Sequence, residues 1–79
     1  MAYMFEVYYK PPGDLGKETA LTQRVAAMGG RLDFREETNG KMPSVCLTYE
    51  FDNYDSALQA AKALRDQGEH VEGPADYDG

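Results

Sequence analysis

Residues 45–68 constrain this chain more than any other stretch, because the hydrophobic period changes once there and the change is capped. Val45, Leu47, Tyr49 and Phe51 recur at every second position, while Cys46, Thr48 and Glu50 take the alternate ones. That alternation is the pattern of a strand with one buried face. Asp52 or Asn53 then offers a side-chain oxygen to the free amides of a first helical turn. Asp55 lies in that turn, where the helix dipole favours negative charge. Tyr54, Ala57, Leu58, Ala61 and Leu64 follow at helical spacing, with Gln59, Lys62, Arg65 and Asp66 on the other side. Gly68 suits the left-handed position that ends a helix. A strand followed by an amphipathic helix is the expectation.

The rest of the chain repeats this rhythm. Tyr3, Phe5, Val7 and Tyr9 alternate with Met4, Glu6 and Tyr8, which predicts a first strand with its aromatic face on the core. Lys10-Pro11-Pro12-Gly13 ends it, since proline lacks a donor and restricts the residue before it. A helix opening at Asp14 or Gly16 carries Leu21, Val25 and Met28 as its core stripe, with Ala20 and Ala27 beside it, and stops at Gly29-Gly30. Residues 31–37 read as a second strand with Leu32 and Phe34 inward. Asn39-Gly40 is a tight-hairpin signal, because a type I′ turn needs positive φ at both central residues. A two-residue turn there pairs Phe34 with Val45 and Leu32 with Leu47 on one face, and Asp33 with Cys46 and Arg31 with Thr48 on the other. Pro43 is the one residue that argues for a longer loop. A short edge strand is expected at residues 70–72, then a break at Gly73-Pro74.

The order strand, helix, strand, strand, helix, strand predicts an α+β fold of the ferredoxin-like type. This βαββαβ sandwich has a four-stranded antiparallel sheet with two helices on one face. Residues 1–73 form one domain on this reading, and residues 74–79 an acidic C-terminal tail. The helix-free face would carry Met4, Glu6, Tyr8, Arg31, Asp33, Arg35, Cys46, Thr48 and Glu50.

Composition narrows the chemistry. With 14 acidic against 8 basic residues the net charge is −6, which disfavours binding to nucleic acid or an anionic membrane. No apolar run approaches the roughly 18 residues of a membrane span, and the N-terminus lacks a signal-peptide core. A soluble cytoplasmic protein is the expectation. A single cysteine makes no intrachain disulfide and fits a reducing compartment. His70 stands alone as the only histidine. Cys46 has no histidine partner, no Cys/His spacing suggests zinc, and Glu69, Glu72, Asp76 and Asp78 lack the rhythm of a calcium loop. No cofactor, no metal and no catalytic residue is expected.

Two surfaces remain as candidates. One is the helix-free face, where Met4, Tyr8 and Cys46 are ringed by Glu6, Glu50, Arg31 and Arg35, with Thr48 among them. An aromatic and thioether centre inside a charged rim is the pattern of a protein interface. The partner would be another protein or a second copy, with Arg31 or Arg35 meeting Glu6 or Glu50 of the mate in a homodimer. A plainly solvated face accounts for the same residues. The other candidate is the loop at residues 10–17, where helix N-terminal amides together with Lys10 and Lys17 face an incoming anion.

Resemblances point the same two ways. The opening Pro12-Gly13-Asp14-Leu15 after a strand resembles the start of ACT regulatory domains, which bind amino acids or other small ligands at subunit interfaces. On that resemblance Gly13, Asp14 and Leu15 line a ligand site, with Lys17 close by. Residues 47–51 followed by an alanine-rich helix are similar to part of the RNA-recognition motif. That family stacks bases on exposed aromatics, and Tyr8 is the one aromatic expected on this face. The terminal Asp76-Tyr77-Asp78-Gly79 resembles the ending of the regulator-of-ribonuclease-activity B family, small acidic proteins that inhibit an enzyme by contact. Acylphosphatases share the topology, but their phosphate-cradling arginine has no counterpart in the loop after the first strand. A third role, an acidic decoy that mimics DNA, would need the carboxylates of residues 69–78 ordered along one face.

Overall fold

Both helices begin where a side chain meets a free amide. The Asp14 carboxylate accepts from the Lys17 amide at 3.0 Å, and the Asn53 side chain accepts from the Ser56 amide at 3.0 Å. The computed structural model describes residues 2–76. Strand β1 (Tyr3–Tyr9) leads to helix α1 (Leu15–Ala27), strands β2 (Gly30–Thr38) and β3 (Ser44–Phe51), helix α2 (Tyr54–Asp66) and strand β4 (His70–Asp76). Gly29 and Gly68 stand just past the helix ends at φ of +94° and +98°, the left-handed conformation expected of them.

The four strands form one antiparallel sheet in the order β2-β3-β1-β4. This is the ferredoxin-like α+β arrangement that the order of elements predicts. The core is Phe5, Val7, Leu47, Tyr49 and Phe51 from the sheet, closed by Leu21 and Val25 of α1 and by Ala57, Ala60, Ala61 and Leu64 of α2. The alanines leave α2 room to lie close to the aromatic layer. Leu58, expected inward, is instead exposed and Ala60 takes its place. On α1, Ala20 and Ala27 are exposed too, and the residue joining Leu21 and Val25 in the interior is Glu18. Tyr49 keeps its hydroxyl satisfied at 2.9 Å from Thr22 Oγ1.

The β2–β3 hairpin departs from the expected register in an instructive way. Thr38 pairs with Ser44, so residues 39–43 form the loop in place of a two-residue turn. Leu32 faces Tyr49 rather than Leu47, a slip of two residues that leaves it on the helix side of the sheet. Phe34 faces Thr48 rather than Val45, a slip of three. Side chains alternate at period two, so an odd slip turns the strand over. The change of phase occurs at a bulge between Leu32 and Phe34, where Asp33 is the extra residue. Phe34 therefore lies on the helix-free face, and Arg35, opposite Leu47, reaches under α1.

Strand β4 also runs further than expected. It does not stop at Gly73-Pro74 but continues to pair Ala75 with Met4 and Asp76 with Tyr3, so the domain extends past residue 73. The register shifts between Met4 and Glu6, and Gly73 sits there at φ +104° against Met4 and Phe5. The Arg65 guanidinium donates to the carbonyls of Val71 and Gly73 at 3.0 and 2.7 Å, fastening α2 to this irregular edge. Tyr77, Asp78 and Gly79, which carry most of the resemblance to an acidic inhibitor's ending, lie outside the described residues.

Candidate protein-binding surface

The pairings lay the helix-free face out in three rows running from β2 across to β4. One row is Glu36, Cys46, Tyr8 and His70; the middle row is Phe34, Thr48, Glu6 and Glu72; the third is Arg31, Glu50, Met4 and Ala75. Seven of the nine residues expected here are present: Met4, Glu6, Tyr8, Arg31, Cys46, Thr48 and Glu50. The two exceptions are Arg35, moved to the other side by the bulge, and Asp33, the unpaired bulge residue. Phe34, expected in the core, replaces them with a ring that is 56% exposed.

Four carboxylates, from Glu6, Glu36, Glu50 and Glu72, stand on this face beside one guanidinium. Arg31 Nη2 is already committed, at 2.5 Å from Glu50 Oε1 and 3.0 Å from Asp52 Oδ1. Its hydrogen bond holds the Asp52 carboxyl below the usual carboxylate range. Glu6 accepts from the Tyr8 hydroxyl at 3.2 Å and from the Cys46 thiol at 3.7 Å. Burial first, and the neighbouring acidic groups next, push the Tyr8 phenol well above its ordinary range. Burial likewise pushes the Cys46 thiol up, and Glu6 adds to it. A thiol held protonated is a poor nucleophile. Tyr8 meets the His70 ring edge-on at 5.8 Å, and His70 Nε2 lies 3.5 Å from Glu72. The result is an acidic surface with aromatic and thioether material at Phe34, Tyr8 and Met4.

The loop before α1 is arranged differently. The Asp14 carboxylate occupies the helix N-terminus, and the Asp14 amide donates to the Tyr9 hydroxyl at 2.9 Å. Lys17 Nζ lies 3.1 Å from Glu69 Oε1 and 5.2 Å above the Tyr9 ring. Gly13 packs so closely on Arg35 and Glu37 that an added Cβ would stand 3.0 Å from both. Leu15 projects outward, 76% exposed, and Lys10 has no partner among the described residues. The structure thus brings Gly13, Asp14 and Lys17 together, but the Asp14 carboxylate and amide and the Lys17 amide and ammonium are already engaged within the chain.

Sequence reasoning missed the group beneath this loop. Glu18, only 7% exposed, receives two hydrogen bonds from Arg35, at 2.6 and 3.0 Å, and a third from the Tyr9 hydroxyl. Arg35 also reaches Glu37 at 2.6 Å. The Arg35 hydrogen bonds hold the Glu18 carboxyl below its ordinary value against the opposing effect of burial. The available signal was position: Glu18 precedes Leu21 by three, on the helix stripe that faces the sheet.

Among the described residues no group of three or more His, Cys, Asp or Glu side chains could hold a metal ion, and no helix is long and apolar enough to cross a membrane. Compared with known proteins, the chain matches no protein-family model and no curated sequence. The resemblances described above therefore rest on the quoted residues and on the order of elements.

Proposed function

We propose that this protein is a non-enzymatic binding or regulatory module of the cytoplasm that acts by protein–protein contact through its helix-free sheet face. The observation that carries the reading is Phe34, a large aromatic side chain turned outward by the bulge and set among carboxylates. A solvent-facing aromatic with Met4 and Tyr8 in adjoining rows, inside a charged rim, is the composition of an interface. The charge selects the partner. Two copies meeting sheet to sheet would bring Glu6, Glu36 and Glu72 against their equivalents while Arg31 stays bound to Glu50. A different protein with a cationic surface fits better.

A small-ligand sensor at Gly13, Asp14, Leu15 and Lys17 is the second reading, drawn from the likeness to ACT domains. It has less support, because the amide and ammonium that an anionic ligand needs already serve Asp14 and Glu69. The experiment that separates the two uses immobilised wild-type protein alongside Phe34→Ala and Tyr8→Ala variants, with an extract of the native host. A partner that is lost from both variants and released by salt is the expected result. An identical set of captured proteins on all three would overturn the reading. A thermal shift produced by a free amino acid would move support to the second.

A further inference from the structure

A sheet ends where a strand runs out of partners; β2 and β4 are the two edges here, and β2 is the one with a groove beside it. It pairs with β3 alone, and every residue from Arg31 to Thr38 is exposed. Its outer side presents a row of backbone donors and acceptors of the kind another extended chain can complete. Beside that edge runs a groove of about 280 Å³ between α1 and β2, lined by Leu15, Glu18, Thr19, Thr22, Gln23 and Leu32. Leu15, Thr19 and Thr22 follow one another at helical spacing with no charge among them. The one charge in the groove, Glu18, is neutralised by Arg35.

The edge also has a sign. The Asp33 and Glu36 carboxylates have no ion-pair or hydrogen-bond partner among the described residues, and Arg31 and Arg35 each serve two carboxylates. We infer that an extended basic peptide adds to β2 as a fifth strand, with alternate apolar side chains in the α1–β2 groove. Period-two alternation places every second peptide side chain on the helix side, over Leu32 and Leu15. The intervening ones fall on the Glu36 side, where lysine or arginine meets unpaired carboxylate. Backbone pairing supplies the attachment, the groove selects apolar residues, and the carboxylates select cations. The backbone edge and the α1–β2 groove lie off the helix-free face and share with it only Glu36, so the inference does not rest on the function proposed for that face.

The test uses a short synthetic peptide alternating leucine and lysine, the same peptide N-methylated at every second residue, and a version with glutamate in place of lysine. Binding is followed by amide chemical shifts and hydrogen exchange in the full chain. The first peptide is expected to slow exchange at outward-facing β2 amides and to shift Leu15, Thr19 and Thr22. N-methylation removes several hydrogen bonds while keeping charge and side chains, and is expected to weaken binding by about tenfold or more. The glutamate peptide is expected not to bind, and Thr19→Arg, at an exposed helix position, to weaken the leucine–lysine peptide. Equal binding of the N-methylated peptide overturns the inference. Shifts confined to Thr48, Glu6 and Tyr8 with β2 exchange unchanged also overturn it, without touching the proposed function. Concentration-dependent protection of β2 in the absence of peptide would make the occupant a second copy, and likewise overturns it.

Discussion

Replacing Phe34 by alanine separates two structures that the sequence alone permits. Were Phe34 opposite Val45 in the core, its loss would cost about 3–5 kcal/mol, as for other buried phenylalanines. With the ring 56% exposed, less than half of a side chain that buries about 200 Å² in a core is withdrawn from water. At about 25 cal/mol per Å² the whole contribution is near 2 kcal/mol, or about 1–1.5 kcal/mol after allowing for the methyl that alanine retains. Phe5, fully buried between Tyr49 and Phe51, supplies the internal reference at about 3–5 kcal/mol. The assay is urea unfolding of wild type, Phe34→Ala and Phe5→Ala, compared by midpoint with the slope held common. Phe34→Lys sharpens it: a solvent-facing site among carboxylates accepts lysine, whereas a core site would not. Equal losses for Phe34→Ala and Phe5→Ala, or an unfolded Phe34→Lys, would refute the reasoning.

Other expectations follow from particular contacts. In Gly30→Ala the new methyl would stand 2.4 Å from Phe51 Cζ and 2.6 Å from Val25 Cγ1, so urea unfolding should show a loss of about 1–3 kcal/mol or more. Gly29→Ala meets nothing within 4 Å and carries only the left-handed backbone penalty, about 1–2 kcal/mol. Because the folded Glu18 pKa lies below its ordinary value of 4.5, its stabilisation is present above that pH and disappears as pH falls through the folded pKa. Glu18→Gln should therefore flatten the acid limb of stability against pH, and an unchanged limb would contradict the Arg35 pairing. Cys46, buried and with its thiol pKa raised, should react with iodoacetamide at least about tenfold more slowly than free glutathione at mildly alkaline pH. A matching rate would show it exposed.

Capping residues made the helices legible. Asp14, Asn53, Gly29 and Gly68 act within a few residues of themselves, so their effect can be read without tertiary knowledge. Strands β1 and β3 were legible for a related reason, since each alternates without interruption. Strand β2 was not. Leu32 and Phe34 stand two apart and look like one face, and Asn39-Gly40 looks like a tight turn, so pattern and turn agreed on a register the chain does not adopt. The bulge at Asp33 leaves no mark in hydrophobicity, and Pro43 was the only dissenting residue. That local event decided the site, because it exchanged Arg35 for Phe34 on the helix-free face and sent Arg35 to Glu18. The end of β4 was hidden similarly: Gly73-Pro74 reads as a break, yet Gly73 fits against Met4 and Phe5 and pairing resumes beyond it.

Cross-strand nuclear Overhauser contacts in the β2–β3 hairpin test the phase change at Asp33 most directly. Backbone contacts pairing Phe34 with Thr48 and Glu36 with Cys46, together with Leu32 and Tyr49, are what this structure predicts. Contacts pairing Phe34 with Val45 and Leu32 with Leu47, as in an uninterrupted hairpin turning at Asn39-Gly40, would return Phe34 to the core and Arg35 to the helix-free face, and would contradict the account.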